Sequence, residues 1–521
     1  MATRMLDVNY FLPSQTDILL LLLLFAFPFI VHCPFPSSTR DDLHACPRLV
    51  SASGALLSSG QLAAALTQMH PEPMRGSPGR RIGPREAAIL VVSRATPTLH
   101  VRSSRALRPD AGAAPLPEPR VEIAASAAAM RFLARYWPLI GLFAALQLPA
   151  LQPLIKFAPA PWIAVPAFLL AAFIGLWLLL NPPGHLKRWL ETPWPSASLA
   201  GALALVGIFV YPLADGLKRR GGGSDADDAM IVAGRALVEL QNPYGATTYL
   251  GNPFSPGPGW VALWAPLAAL GVYSLITALA LAATVLALRF TRHSWSLTNT
   301  FVLALFSCVL LWELVAVGSD LPAWGLLALC AALPLEQPRA RRWLLVALTV
   351  LLGCLATARI SFSYLPLLVG FCLLSIRPRR AVGVAVGGSA TALLLHAVFW
   401  QLNPVLYPPL HLVGRAQGLL SGASLYIALG FLGVVAAWML RRWRSWPPPL
   451  HLAWGLWAPM LVMAVAELGE HGNLARWKGA TYLVTSLPAV AYALLACARR
   501  DDPQPATAGA APAGAVAPPV G

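Results

Sequence analysis

Residues 221–266 read GGGSDADDAMIVAGRALVELQNPYGATTYLGNPFSPGPGWVALWAP. This is the longest polar interruption within the apolar part of the chain. It opens with the carboxylates Asp225, Asp227 and Asp228. An amphipathic run follows over 229–240, then Asn242-Pro243-Tyr244, Tyr249, a Pro/Gly turn cluster at 253–259 and a new hydrophobic run. Such a block between two apolar spans predicts a loop carrying a short amphipathic helix, placed where something binds.

Working outward, the chain has 521 residues, 57% hydrophobic and 12% charged, far from a soluble globular composition. Apolar stretches recur from 137 to 497, which predicts an all-α, polytopic transmembrane helical bundle. The net charge of +16 lies largely in short clusters between those stretches, the pattern of membrane-protein loops and not of a nucleic-acid surface. Cys308, Cys330, Cys354, Cys372 and Cys497 sit in or beside apolar runs and read as small core residues.

Residues 1–129 differ from the rest. A 14-residue apolar run at 18–31 is short for a span, and the Pro/Ser/Arg/Ala-rich stretch at 33–129 shows no sustained period, so disorder is expected there. Met130 opens MRFLARYWPLIGLF, a usual start for a membrane protein, so the preceding residues are expected to be an upstream over-extension of the reading frame or a disordered tail. Residues 130–500 form the membrane domain, and 501–521 an Ala/Pro-rich disordered tail. Twelve helices are expected, near 137–155, 162–181, 197–214, 261–287, 299–317, 321–335, 343–358, 361–376, 382–401, 420–440, 450–467 and 480–497.

Basic residues mark every second loop, among them Lys187/Arg188, Arg289/Arg292, Arg377/Arg379/Arg380 and Arg441/Arg442/Arg444, which predicts an inner side. The outer loops are then 156–161, 215–260, 318–320, 359–360, 402–419 and 468–479. They carry Lys218, Arg219 and Arg220 beside the acids, Asp320, Arg359, Tyr407, His411 and Arg415, and the stretch ELGEHGNLARWKGATY with Glu467, His471, Arg476 and Lys478. Cations on the outer side run against the usual trend, and an anionic ligand there is a natural reason.

A transferase using a polyprenyl-phosphate sugar needs a carboxylate base, fixed cations for the leaving phosphate, an apolar groove for the tail and aromatic faces for the sugar. Asp225, Asp227 or Asp228 can serve as base. Arg359, Arg415, Arg476 and Lys478 can hold phosphate, with His411, His471 and Asp320 nearby, and Tyr244, Tyr249, Tyr407 and Trp477 can line a sugar site. Each also has a plain structural reading. Asp225, Asp227 and Asp320 can cap helices, Arg359 can snorkel, the histidines can be structural hydrogen-bonders, Lys218 can be solvated charge, and the aromatics can be interface anchors.

The acids, then GRALVELQNPY (234–244), Tyr249 and NPFSPGPG (252–259), together resemble the first outer loop of the GT-C superfamily, and in particular bacterial polyprenyl-phosphomannose-dependent mannosyltransferases. Gly318-Ser319-Asp320 with LPAWGLLAL, and ARISFSYLPLL (358–368), resemble two further motifs of that group. The resemblance covers residues 131–500. Leu240 stands where the family usually has Gly, and three spans precede the acid loop where members usually have one.

The resemblance implies a membrane-embedded, inverting glycosyltransferase that moves a sugar from a polyprenyl monophosphate to a lipid, glycan or protein acceptor, with no metal or cofactor. By the resemblance Asp228 lies nearest the family's helix start and is the first candidate for the base. Other readings are a transporter or flippase for a lipid-linked or anionic substrate, and a non-catalytic assembly partner. The Arg-over-Lys bias and Ala/Pro/Leu richness point to a bacterial inner (cytoplasmic) membrane.

Overall fold

A computed structural model of the chain describes residues 120–220, 224–225, 227–402, 407–420 and 422–498. The apolar run at 18–31, Asn403, the pair Arg499/Arg500 and the tail at 501–521 lie outside these residues. Among the described residues the chain is all-α and has no strand, with one isolated antiparallel bridge between Thr247 and Pro253.

In chain order the helices used below are α1 (Arg120–Phe157), α2 (Pro161–Leu180), α3 (Trp194–Gly216), α4 (Asp228–Val238), α5 (Pro258–Ala269) and α6 (Tyr273–Arg292). They continue as α7 (Trp295–Leu305), α8 (Val309–Ala316), α9 (Leu321–Leu335), α10 (Arg342–Ala356), α11 (Leu365–Leu374) and α12 (Pro378–Leu402). The last are α13 (His411–Leu419), α14 (Ala423–Arg441), α15 (Pro448–His471) and α16 (Leu487–Ala498). Helix α1 starts ahead of Met130, so the end of the stretch expected to lack structure is helical.

Seven of these are long and apolar enough to cross a membrane, or eight if α7 and α8 count as one span bent by 76°. The expected twelve helices of spanning length are not reached. The run at 261–287 is two helices, because α5 ends at Ala269 and Gly271 turns the chain with a φ of 72°. The run at 299–317 is the bent pair, and α9, α10 and α16 are shorter apolar helices. Proline opens several helices, including α2, α5 and α15, where its missing N–H costs no helical bond.

Burial sorts these helices. Only 6% of the apolar window of α2 and 11% of that of α3 is covered by protein, against 61% in α1. In water, apolar faces this broad would drive association, whereas lipid solvates them. Helix α9 lies at the opposite extreme. It packs against α6, α10 and α16, and every residue of it except Cys330 is buried. Trp324 stacks on Phe362 at 3.9 Å and donates its indole N–H to the Leu355 carbonyl. Helix α9 therefore lies in the core, with α1 and α15 more than half covered, while α2 and α3 form the rim.

Polar side chains gather at two ends. At one, Arg292 bonds Glu336 and Tyr492, Arg380 donates to the carbonyls of Leu335, Gln337 and Pro338, and Asn299 holds Leu190 and Thr192. At the other, the segments near 156, 211–260, 313–320, 357–361, 396–419 and 467–482 meet. The loops 215–260, 318–320 and 359–360, read from the sequence as sharing one side, contact one another through Trp260, Asp320 and Arg359.

Enlarging a side chain in the centre should cost more than trimming one at the rim. Ala328→Leu in α9 is expected to destabilise by roughly 1–3 kcal/mol, and Leu170→Ala on the exposed face of α2 by under about 0.5 kcal/mol. Thermal unfolding in detergent measures both, and equal losses would contradict the central place of α9.

Candidate functional site

The acid loop is organised by a residue that its sequence pattern does not single out. The ammonium of Lys218 lies 2.7 Å from Asp215 Oδ1, 2.7 Å from Asp227 Oδ1 and 2.7 Å from Asp228 Oδ1. Its ring neighbour is Tyr249, 5.6 Å to the centroid. Tyr211 donates its hydroxyl to Asp227 Oδ2 at 2.5 Å. These groups come from the end of α3, the turn after it and the start of α4, with Tyr249 from the turn at 248–252.

Local chemistry places them. Pro212 has no N–H, so the helical bond to the carbonyl of residue 208 cannot form, and the preceding turn widens. Residues Val206–Val210 form a π turn, in which the Tyr211 N–H reaches back to the Val206 carbonyl. Asp227 occupies the N-cap position of α4 but makes no side-chain cap bond. Its carboxylate is 1% exposed and is held by Lys218 and Tyr211 instead, so the capping reading does not hold for it.

Burial pushes the Asp227 carboxyl above the usual carboxylate range, against the hydrogen bonds from Lys218 and Tyr211. Lys218 pays a burial penalty that would lower its value, but its bonds to Asp215, Asp227 and Asp228 outweigh it and hold the ammonium charged above the ordinary lysine range. Oxygens of Asp215, Asp227 and Asp228 lie within 4.8 Å of one another, a spacing compatible with a metal ion, and the Lys218 ammonium sits against all three.

The two other acids differ in setting. Asp228 is 17% exposed and also accepts the Tyr249 backbone N–H at 3.1 Å. Asp225 accepts from Thr248 Oγ1 and Asn252 Nδ2, both at 2.9 Å, and so braces the 248–252 turn.

A second ion pair abuts this cluster. Asp320 stands at the start of α9 without making a cap bond. Its Oδ1 accepts from Arg359 Nη2 at 3.0 Å and its Oδ2 from Trp260 Nε1 at 2.7 Å. Asp320 and Arg359 side chains are 2% and 12% exposed, so Arg359 does not snorkel, and its guanidinium is committed to Asp320 and the Ala358 carbonyl.

Two glycines allow the close approach of these segments. A Cβ on Gly318, whose φ is 71°, would lie 2.6 Å from the Tyr211 ring and 3.0 Å from Asp227 Cβ. A Cβ on Gly257 would lie 2.1 Å from the Thr357 carbonyl, to which Gly257 donates its own N–H.

The remaining expected residues separate into groups. Tyr244 and Tyr407 are buried, pack ring to ring at 5.5 Å and hydrogen-bond the Pro256 carbonyl and His396. Burial pushes the Tyr407 hydroxyl up to about 12, although its bond with Tyr244 opposes this. Both therefore shape the loop from within, as does the buried Trp477, and Tyr249 is the partly exposed tyrosine at the acids. His471, Arg476 and Lys478 come together with Gln152 and Lys156 of α1 around a cavity of about 510 Å3. A second cavity of about 220 Å3 is mainly apolar, with Met460, Met463, Leu419 and Ile360 beside Glu467 and Tyr482. The side chains of His411 and Arg415 lie outside the described residues.

Tyr211, Asp215, Trp260, Lys156, Gln152 and Glu313 are site neighbours that the sequence reading left aside. Gln147 and Gln152, polar residues inside an apolar run, are the signal that was available for the α1 group. No family model, curated protein or solved structure matches this chain.

Lys218→Met would leave the buried Asp227 without its counter-ion, an expected loss of about 3–5 kcal/mol. The Asp227 value is raised by burial, so folding then favours its protonated form. Stability is fullest below the ordinary value of 3.8 and is lost as pH rises through the raised one. The melting deficit of Lys218→Met should therefore be larger at pH 8 than at pH 5, and a pH-independent deficit would contradict this. For the second pair, Asp320→Asn and Arg359→Met are each expected to cost about 3–5 kcal/mol, and the double variant clearly less than the sum. Denaturation of the full cycle in detergent tests it.

Proposed function

We propose that the chain is an integral-membrane glycosyltransferase of the GT-C type, using a polyprenyl-phosphate sugar as donor and a lipid, glycan or protein hydroxyl as acceptor. The shorter apolar helices and the bent pair complete a bundle close to the twelve expected, and the end bearing the acids faces outward from a bacterial inner membrane. The observation that carries this reading is Asp228: a carboxylate held by Lys218, still partly exposed, and placed beside Tyr249.

In the proposed step the acceptor oxygen attacks the anomeric carbon opposite the phosphate, and Asp228 takes the hydroxyl proton. The bond from carbon to phosphate oxygen breaks with its electron pair on the phosphate, whose growing charge needs fixed cations. Arg476 and Lys478 at the same end are suited to that, and the cavity with Met460 and Met463 is suited to an apolar tail. Asp227 is closed to solvent and serves to hold Lys218. Asp225 serves to brace the loop. Arg359, being paired, serves to fix Asp320 and not to meet phosphate.

The 76° bend between α7 and α8 also suits the second reading, a transporter for a lipid-linked or anionic substrate, since broken helices line such pathways.

Membranes containing the full chain are to be supplied with radiolabelled polyprenyl-phosphate mannose, glucose and arabinose. Transfer is expected to fall by about 10²–10⁴ in Asp228→Asn, at unchanged protein level, and far less in Asp225→Asn. Transfer undiminished in Asp228→Asn would overturn the assignment of the base, whereas labelled donor carried across intact vesicles without transfer would favour the transporter.

A further inference from the structure

The cavity beside α1 has a chemistry that narrows what it can hold. Lys156, Arg476 and Lys478 bring three permanent cations to its wall, with His471 a fourth nitrogen donor when protonated. Among the described residues, ion pairs at this wall are Lys156 with Glu313 at 3.0 Å and His471 with Glu470 at 3.8 Å, and neither Arg476 nor Lys478 has a carboxylate within pairing distance. Arg476 and Lys478 flank Trp477, which is fully buried and donates its indole N–H to the Ala464 carbonyl at 2.6 Å. That anchor fixes the backbone, and both cations point outward on the strength of their exposure. The wall is therefore built to receive an anion.

Gln152 adds a second requirement. Its side chain is 7% exposed and faces the same cavity. The amide Nε2 donates to the Ala475 carbonyl at 3.4 Å, which fixes the orientation of the amide, because the reverse would set two acceptors together. The Oε1 atom is buried without a hydrogen-bond partner among the described residues. A buried acceptor left unpaired is costly, so the fitting ligand brings a donor to this point. Phosphate oxygens cannot do this for a fully ionised ester. A hydroxyl on a neighbouring carbon can.

We propose that this cavity is a subsite for a phosphate ester carrying a hydroxyl close to the phosphate, with Arg476 and Lys478 on the phosphate and Gln152 Oε1 accepting from the hydroxyl. Lys156 exchanges Glu313 for the phosphate when the ligand enters. The proposal deepens the transfer reading, and rests on it only for the view that the occupant is a sugar phosphate. Glu313 on α8 lies five residues before Gly318, on which a Cβ would lie 3.0 Å from Asp227 Cβ, so a phosphate held here lies one short segment from the acid cluster.

The test is direct binding to the purified full chain in nanodiscs, without turnover. The soluble probes are methyl phosphate and sn-glycerol 3-phosphate, equal in charge, the second adding a hydroxyl on the carbon next to the phosphate-bearing one and a terminal hydroxymethyl group. The lipid probe is short-chain phosphatidylglycerol. Glycerol 3-phosphate is expected to bind about tenfold more tightly than methyl phosphate, the worth of one hydrogen bond to a buried acceptor. Gln152→Leu should abolish that preference while keeping methyl phosphate binding, and Arg476→Met with Lys478→Met should weaken every probe at least about tenfold. Glu313→Gln, which releases Lys156, should tighten binding.

Preference for phosphatidylglycerol over glycerol 3-phosphate would place the source in a lipid headgroup, and the reverse in a soluble ester. Binding of no probe, or binding unchanged in the double Met variant, overturns the subsite. A preference that survives Gln152→Leu overturns the role of the amide. Because Asp228→Asn should bind as the wild type does, loss of transfer chemistry and loss of this subsite are separately visible.

Discussion

A carboxylate at the end of a wholly buried helix has to be neutralised where it stands, and Asp320 sets that condition for this protein. Helix α9 is enclosed by its neighbours, so Asp320 cannot turn to solvent. Arg359 and Trp260 supply the positive charge and the second donor, from the segment after α10 and the start of α5. Removing either partner leaves a buried charge uncompensated, and that penalty exceeds what the pair gains over an apolar replacement. The pair thus acts as a specification: three separate segments must come to one point for the core helix to be tolerated. Gly318 and Gly257 permit the approach, and the Lys218 cluster sits directly against it through Gly318.

The Lys218 cluster follows a different logic. Several carboxylates in a small space repel one another unless a cation is shared among them. An ammonium, with three donors on a compact charge, can touch three oxygens at once, as a planar guanidinium does less readily. Sharing it fixes the acids relative to one another, with Asp227 closed off, Asp228 partly exposed and Asp215 more exposed still. The result is a group whose acids and cation are already fixed relative to one another.

The helical class and the places of most helices were readable from hydrophobic runs, because these report directly on exclusion from water. Span number was less readable. An apolar run reports that a segment is out of water, not whether lipid or protein covers it, and α9 and α2 are both strongly apolar with opposite surroundings. The polar block at 221–266 contains helix α4 and two of the acids that Lys218 joins. Residue roles inside it were hidden, since a sequence shows that Asp227 precedes a helix but not that its carboxylate turns back to Lys218. Likewise Tyr244 and Tyr407 looked like surface aromatics and proved to be the packing of the loop. His471, Arg476 and Lys478 were grouped by their closeness in the chain, while Lys156 and Gln152 reach them from over three hundred residues away.

The wide turn in α3 has one more consequence. A π turn is an α-helix holding one residue in excess, and each residue of an α-helix advances the side-chain direction by about 100°. The lipid-facing stripe before Val206 and the polar positions after Val210 are therefore out of phase with each other by about that angle. One continuous helix can in this way show an apolar flank to the bilayer along most of its length and still turn Tyr211 inward at its end. The extra residue works as a phase shifter, letting a single rod serve two solvents.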